Sequence, residues 1–193
     1  RYLLSPKDLC TIPFLDRMLE AGVRVLKIEG RARPAEYVKR VVECYDEAVR
    51  AYVEGTFSDE KVAAWTEKLS TVFNRGFWEG FYLGAQVPEL SRNYGSSATK
   101  RKVYVGKVTN FFKKIGVAEI FIEASPLPRG SEYVITGETT GAVEGFADEI
   151  QVAQKAAEIA LQGIYCSLKT SAPVRRGDRL FKIVDASEVE RQK

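Results

Sequence analysis

The second half of the chain takes its fold from the stretch VYVGKV at residues 103–108. Its β-branched and aromatic residues are typical of a strand. A second stretch of this kind covers residues 116–123. Five further short strands, separated by Gly and Pro turns, are expected at 132–136, 142–146, 149–152, 164–168 and 179–184. Many short strands at even spacing predict a small antiparallel β-barrel over residues 100–186.

This half of the chain also repeats itself. Residues 127–135 and 174–182 each consist of an apolar residue, a turn with glycine and a strand. The rhythm resembles the barrel of translation-factor second domains, and this likeness concerns the fold alone. The sequence has no P-loop, which excludes a GTPase for this chain. The Ala-rich residues 152–161 have helical propensity, whereas a barrel context favours strands there.

The first half mixes strands with helices. A short apolar run at residues 2–4 predicts a strand, and the tetrapeptide SPKD at residues 5–8 predicts a helix start with its serine as N-cap. A short helix is expected at residues 13–21, followed by Gly22 just beyond its C-terminus. A second strand is predicted at residues 23–28, where four of the six residues are β-branched or leucine.

Two longer helices follow. The first begins after Pro34 and ends at Gly55, with apolar residues at three- and four-residue spacing. The second is capped by Ser58 and places Trp65 on its inner face. Alternating strands and helices are the pattern of a parallel α/β sheet, but two strands cannot form such a sheet alone. The Gly- and aromatic-rich residues 74–99 are expected to form an irregular connection.

The predicted class is therefore α+β. The predicted parts are the mixed helices and strands at 1–73, the connection at 74–99, the β-barrel at 100–186 and a tail at 187–193.

The composition excludes several kinds of site. Apolar residues make up 45% and charged residues 28%, and the net charge is only +3, so bulk charge does not indicate nucleic-acid binding. The chain has no histidine, which excludes a Ser-His-Asp triad, a Cys-His dyad or an HExxH zinc site within it. Three widely spaced cysteines fit a reducing compartment. No signal peptide or membrane span is recognisable, and the chain begins with Arg1. We expect a C-terminal piece of a larger cytoplasmic protein, without a complete active site of its own.

The sharpest cluster of charge lies at the predicted end of the second strand, in Lys27, Glu29 and Arg31. Parallel α/β folds bind ligands at the carboxyl ends of strands, and alternate residues of a strand point the same way. The three residues therefore predict a pocket whose cations bind phosphate or carboxylate, with Glu29 in an ion pair. Solvated charges at a strand end are the alternative interpretation.

Other candidates carry weaker patterns. The lone cysteines Cys10, Cys44 and Cys166 are typical of small buried hydrophobes. Two groups of basic residues, the second beside Phe111 and Phe112, combine cations with aromatic rings, as RNA-binding loops do, although ordinary exposed hairpins share this composition. The basic residues are Lys100, Arg101, Lys102, Lys113 and Lys114.

Three motifs, in this order, resemble the collagenase-like peptidase U32 family: SPKDLC at residues 5–10, LKIEGR at 26–31 and FNRGF at 73–77. The likeness covers the first half of the chain, and the second half is similar to the β-barrel domain that closes longer members. The resemblance implies that residues 1–55 are the last βα units of a TIM-like barrel. Residues 27–31 would then lie at the catalytic mouth of that barrel.

The resemblance also implies a cofactor. In members that are oxygen-independent hydroxylation proteins, four cysteines hold a four-iron–four-sulfur cluster, and Cys10 matches the position of the last ligand. A single thiolate cannot retain such a cluster, so it is expected only in the full-length protein.

The function implied by the resemblance is support of the hydroxylation of ribosomal or transfer RNA, with the β-barrel binding RNA. One alternative is a collagenase-like peptidase, as the family label says. Another is a non-catalytic binding or dimerisation module. The implied partners are RNA, the upstream barrel of the same protein and a second copy of the chain.

Overall fold

The computed structural model describes residues 6–91 and 95–190 of the 193-residue chain. These residues form two compact units, one within residues 1–99 and one within residues 100–193. The first unit combines helices with two short strands, and the second is built on an antiparallel sheet. No helix in the described ranges has both the length and the apolar composition of a membrane span.

The first unit packs three α-helices against a pair of short strands. In chain order its elements are β1 (Asp8–Leu9), a 3-10 turn (Ile12–Phe14), α1 (Leu15–Glu20), α2 (Ala35–Val53), α3 (Asp59–Ser70) and β2 (Phe77–Trp78). The strands β1 and β2 pair in parallel. The core between these elements includes the buried side chains of Ile12, Leu15, Cys44 and Trp65.

The helix ends predicted from the sequence form for local reasons. After α1, Gly22 has φ +94°, and its N–H and the next one donate to the carbonyls of residues 19 and 18. This pair of bonds is the Schellman motif, which needs a left-handed residue at that position. At the start of α3, the Ser58 hydroxyl accepts the N–H of Lys61. The helix α2 ends just before Gly55, as predicted.

The helix start predicted at residues 5–8 is wrong, because Asp8 lies in the strand β1. Its carboxylate accepts the backbone N–H of Arg75 from a distant loop instead of the orphan amides of a helix. The predicted N-cap, Ser5, and the predicted strand at residues 2–4 lie outside the described residues.

The strand predicted at residues 23–28 is also wrong for this chain. The segment pairs with no described strand, and Val25 is 83% exposed. A strand requires a neighbour for its backbone hydrogen bonds, so β-propensity without a partner leaves the segment irregular. In the described part of the predicted connection at 74–99, the short strand β2 and an isolated antiparallel bridge between Leu90 and Pro6 are features that the composition did not indicate.

The second unit contains an eight-stranded antiparallel sheet and a separate two-stranded ladder. Its elements are β3 (Lys100–Phe112), β4 (Val117–Ile122), β5 (Leu127–Pro128), β6 (Glu132–Gly137), β7 (Gly141–Phe146), β8 (Ile150–Val152), β9 (Lys155–Ala156), β10 (Ile159–Ala160), β11 (Tyr165–Lys169), β12 (Arg179–Asp185) and the helix α4 (Ala186–Glu190). The strand order in the sheet is β7-β6-β12-β3-β4-β11-β8-β9, and β5 pairs with β10. All seven strands predicted from the sequence are present, which confirms the antiparallel sheet.

One apolar core lies inside this unit, and the small ladder helps to enclose it. The N–H of Gly130 donates to the carbonyl of Ala147, just after β7, and the N–H of Arg129 donates to Glu158, just before β10. The β5 segment therefore bridges the β7 edge of the sheet and the chain that follows β9. The core includes the buried side chains of Val105, Ile120, Ile135, Leu168 and Leu180.

Residues 152–161 are not helical. They form β9 and β10, and the tight turn between β8 and β9 places Ala153 at φ +48° and Gln154 at φ +63°. Two successive left-handed residues give the turn whose twist matches that of a two-stranded hairpin. The pairing of Val152 with Lys155 closes this hairpin, so tertiary pairing overrides the helical propensity of the segment.

The close approach of β3 to β4 at Gly106 can be tested by substitution. A Cβ at this position would lie 2.0 Å from the carbonyl oxygen of Phe121, which is backbone and cannot rotate away. Gly106→Ala should therefore lower the free energy of unfolding by about 3 kcal/mol or more, measured as a fall in the urea midpoint of the far-UV circular dichroism signal. The control Ser167→Ala, in β11, should change stability by less than about 0.5 kcal/mol. Equal midpoints for the two variants would contradict the close approach.

Candidate active site

The Asp8 carboxylate joins three distant parts of the first unit. Its Oδ1 accepts hydrogen bonds from Arg33 Nη2 at 3.2 Å and from Arg75 Nη2 at 3.0 Å. Its Oδ2 accepts the backbone N–H of Arg75 at 2.9 Å. The Asp8 side chain is only 15% exposed, so water screens these charges less than it screens a surface ion pair. We refer to Asp8, Arg33 and Arg75 as the Asp8 triad.

Local structure positions each member of the triad. The Asp8 N–H donates to the carbonyl of Gly76 at 2.8 Å, which fixes β1 beside the loop that carries Arg75. Arg33 precedes the helix α2, and its guanidinium carbon lies 4.2 Å from the ring centroid of Phe73. Contact with the face of an aromatic ring stabilises a cation and orients its plane. The triad is therefore held by backbone, charge and ring contacts together.

A cavity of about 580 Å³ opens beside the triad. Its walls combine charged groups, phenols and apolar side chains. The charged lining residues are Asp8, Lys27, Glu29, Arg33 and Arg75. Three cations against two carboxylates leave one excess positive charge, so the cavity favours an anionic ligand.

Two hydroxyl groups meet at one side of this cavity. The phenol oxygen of Tyr45 accepts the N–H of Thr11 at 3.0 Å and lies 3.0 Å from the Thr11 hydroxyl. Burial raises the pKa of Tyr45, so its phenol keeps its proton at neutral pH. Burial, followed by the negative charge of Asp8, also raises the pKa of Tyr37 on the same wall. Both phenols can donate a hydrogen bond to a ligand, and neither is set up as a base.

The thiol of Cys10 lines the same cavity but is poorly suited to nucleophilic attack. Its pKa is raised, chiefly by burial, against smaller lowering effects of hydrogen bonds with Ile12 and Tyr45. A thiol reacts as its thiolate, so a raised pKa makes Cys10 less reactive than a free cysteine at neutral pH. Cys44 and Cys166 are core residues, and burial raises their pKa values to about 11 and about 12.

The predicted pocket residues are only partly brought together. Lys27 and Glu29 lie on the cavity wall, whereas Arg31 does not. The backbone N–H of Arg31 donates to Glu29 Oε1 at 2.8 Å, so this carboxylate shapes the turn before α2. A role of the three side chains in ligand binding stays a prediction.

The basic residues predicted to bind RNA do not form one patch. Residues 100–102 begin β3, and residues 113–114 follow its other end. The ten strand residues 103–112 lie between the two groups, which are therefore about 35 Å apart along the strand. Lys100 forms an ion pair with Glu132, and Lys102 Nζ lies 4.7 Å from the ring centroid of Phe181. Lys113 and Lys114 lie in the exposed turn before β4.

Sequence reasoning missed the Asp8 triad. The available indication was the set of three motifs at residues 5–10, 26–31 and 73–77. Asp8 lies in the first motif, Arg75 in the third, and Arg33 two residues beyond the second. Charged residues in or near motifs that together carry one family resemblance are candidates for one shared site.

The arrangement can bind and orient an anion and donate phenolic hydrogen bonds to it. Among residues 6–91 and 95–190, no group of three or more Cys, Asp or Glu side chains is placed to hold a metal ion. The described residues therefore do not form a complete site for an iron–sulfur cluster, which requires four ligands.

The contribution of the Asp8 triad to the stability of the first unit can be measured. Asp8→Asn removes the negative charge between two guanidinium groups and should lower the free energy of unfolding of the first unit by about 2 kcal/mol. Urea denaturation followed by tryptophan fluorescence reports this unit, because Trp65 and Trp78 are the two tryptophans of the chain. The control Asp46→Asn breaks an exposed ion pair with Arg50 and should cost less than about 0.5 kcal/mol. Equal effects of the two substitutions would show that the triad contributes no more than a surface pair.

Known proteins provide two kinds of similarity. Over 182 residues the chain is 48% identical to a protein of Porphyromonas gingivalis named collagenase, covering 94% of the chain and 44% of that protein. Over 123 residues it is 30% identical to tRNA hydroxylation protein P of Haemophilus influenzae, covering 63% of the chain and 26% of that protein. The chain thus spans less than half the length of either relative.

A solved structure of the C-terminal domain of a Geobacillus thermoleovorans U32 peptidase matches 41% of this chain and 90% of that domain, at 15% identity and a TM-score of 0.39. A TM-score of this size carries no argument about the fold.

The first unit provides the family assignment. Residues 1–92 match the sequence model of peptidase family U32, and this range contains all three motifs and the whole Asp8 triad. Residues 1–92, just under half of the chain, therefore belong to peptidase family U32.

Proposed function

We propose that the full-length protein supports the hydroxylation of RNA and that the cavity beside the Asp8 triad binds an anionic group of that RNA. The observation that carries this proposal is the convergence of two arginines on one carboxylate at the wall of a cavity with excess positive charge. The similarity to a tRNA hydroxylation protein supports transfer RNA as the substrate class.

Phosphate is the group that this geometry suits. A guanidinium has five N–H donors in a planar fork, more than Asp8 accepts from Arg33 or from Arg75. The carboxylate and the Phe73 ring fix the planes of the guanidinium groups, so little side-chain entropy would be lost when a phosphate binds. Lys27 would add a flexible third cation at the rim.

The second candidate function is a collagenase-like peptidase. It is favoured by the 48% identity to the Porphyromonas gingivalis collagenase. Peptide hydrolysis by a side-chain nucleophile needs a group paired with a base. Among the described cavity residues, Cys10 has a raised pKa and Thr11 faces a neutral phenol, so neither has such a base. We therefore rank this function below RNA hydroxylation.

We also propose that residues 1–55 form the last βα units of a TIM-like barrel in the full-length protein. Support comes from the parallel pairing of β1 and from the strand-like segment at residues 23–28, which exposes Val25 and lies between two helices. A neighbouring strand would cover this side chain and satisfy the backbone. The cavity would then lie at the carboxyl ends of the strands, where such barrels bind substrates.

The main test is the nucleoside content of transfer RNA from cells that express the full-length protein. Deletion of the gene should abolish a nucleoside that has gained one oxygen atom, as detected by mass spectrometry. Complementation with Lys27→Gln or Arg33→Gln should restore about tenfold less of it than wild type, because each loses a charge-assisted contact.

The matched control is Arg50→Gln, which removes an exposed guanidinium on α2 far along the helix from Arg33. It should restore the nucleoside fully. Unchanged transfer RNA after deletion, together with cleavage of gelatin by the purified protein that Arg33→Gln abolishes, would favour the peptidase instead. Lys27 is exposed and has no structural partner in the triad, so its variant separates binding from folding.

A four-iron–four-sulfur cluster with Cys10 as one ligand is part of the proposal for the full-length protein, and it would supply electron-transfer chemistry there. Anaerobically purified wild-type protein should then be brown and contain about four iron atoms per chain. Cys10→Ser should lower the iron content, whereas the core variant Cys44→Ser should keep it. Colourless wild-type protein would reject the cluster, and full iron in Cys10→Ser would reject Cys10 as a ligand.

A further inference from the structure

The outer face of the sheet in the second unit carries a row of cations and aromatic rings. The ladder places Arg179 opposite Lys107, Lys107 opposite Phe121, and Phe121 opposite Tyr165. The row crosses the neighbouring strands β12, β3, β4 and β11. The residues that flank each member in sequence are buried or half-buried, so the four side chains point outward. At about 4.8 Å between strands, the row is about 14 Å long.

Two ring pairs lie on this face. Phe121 and Tyr165 have centroids 4.9 Å apart, and Tyr165 is 55% exposed. Tyr104 and Phe181 have centroids 5.4 Å apart, and Lys102 Nζ lies 4.7 Å from the centroid of Phe181. Accessible rings beside cations are the surfaces on which unpaired bases stack.

A bulge in β3 brings the second ring pair beside the row. The pairing with β12 passes from Gly106 directly to Tyr104, so Val105 has no partner of its own there. Val105 and Gly106 are both buried, and the side chains of Tyr104 and Lys107 therefore emerge on the same outer face. Without the bulge, strict alternation would have placed these two side chains on opposite faces.

One carboxylate ties the two halves of the face together. Glu123 accepts the Tyr104 hydroxyl at 2.5 Å and pairs with Lys107 Nζ at 2.6 Å. The Lys107 hydrogen bond, followed by that of Tyr104, lowers the pKa of Glu123, so this group is ionised at neutral pH. Lys102, Lys107 and Arg179 together exceed Glu123 and Glu119, a second carboxylate on the same face of β4, by one positive charge.

We propose that this face, defined by Lys102, Tyr104, Lys107, Phe121, Tyr165, Arg179 and Phe181, binds an unpaired segment of RNA. Bases would stack on the exposed ring of Tyr165 and on the half-buried rings beside it. Phosphates would lie near Lys102, Lys107 and Arg179, which are all on the β3 and β12 side of the face. The two lysines of the face favour RNA over a protein partner, because lysine is depleted in protein interfaces. This proposal rests on the proposed function in one respect: that function identifies the nucleic acid as RNA.

Stacking is tested by the affinity of the full-length protein for a labelled oligouridylate, measured by fluorescence anisotropy. Tyr165→Ser should weaken binding by about tenfold or more, since it removes the most exposed ring of the face. Tyr165→Phe keeps the ring and should bind as wild type does. The matched control is Phe146→Ser, which removes a 60% exposed ring from β7, outside the row. That control should also bind as wild type does.

The role of charge is tested by the salt dependence of the same binding reaction. Arg179→Gln should reduce the slope of log affinity against log salt by about 0.7, the value for one contact with a single-strand phosphate. The control Lys155→Gln removes an exposed cation from β9 and should leave the slope unchanged.

Three results would overturn the proposal. They are equal weakening by Tyr165→Ser and Phe146→Ser, unchanged affinity of Tyr165→Ser, and equal affinity of wild type for a duplex of the same length.

A fall in sedimenting mass in Tyr165→Ser, with RNA affinity unchanged, would assign the face to a second copy of the chain. Loss of the hydroxylated nucleoside on gene deletion, with wild-type RNA binding by Tyr165→Ser, would reject this face and retain the proposed function. The reverse pair of results would reject the proposed function alone.

Discussion

The Asp8 carboxylate is the constraint on which the first unit depends. One group accepts hydrogen bonds from residues 25 and 67 positions away, from two guanidinium groups and from one backbone amide. A largely buried carboxylate without these donors would carry an uncompensated charge, and so would the arginines without it. Because each group needs the other, these contacts help to hold β1 in its parallel pairing with β2.

Contacts between distant residues, such as those of Asp8, separate the parts of the structure that could be predicted from the sequence from those that could not. The helices α1, α2 and α3 were predictable because their spacing, caps and terminal glycine act within one or two turns. The longer strands of the second unit were predictable from their composition for the same local reason. Strands of two residues, such as β1, β2, β9 and β10, leave too short a pattern to recognise, and their existence depends on a distant partner.

The residues of the candidate site also fall into those that a local sequence feature indicated and those that it did not. Lys27 and Glu29 were found because the end of a strand-like segment is a local feature. The Asp8 triad was missed, because no local pattern tells which of 29 basic residues will cross the chain to meet a given carboxylate. The strand at residues 23–28 is the opposite case: its propensity is strong, yet no described segment pairs with it. Propensity predicts what a segment can form, and a partner decides whether it does.

The outer face of the second unit shows how a chain of low net charge can still carry a local excess of positive charge. A chain with a net charge of +3 gives no indication of an RNA partner. A single bulge at Val105 nevertheless turns Tyr104 and Lys107 to the same side, next to the ring of Phe121. The local excess of charge beside accessible rings, and not the total, is what a short unpaired strand would meet. The first unit thus has a cavity with one excess positive charge, and the second unit has a sheet face that carries rings and cations.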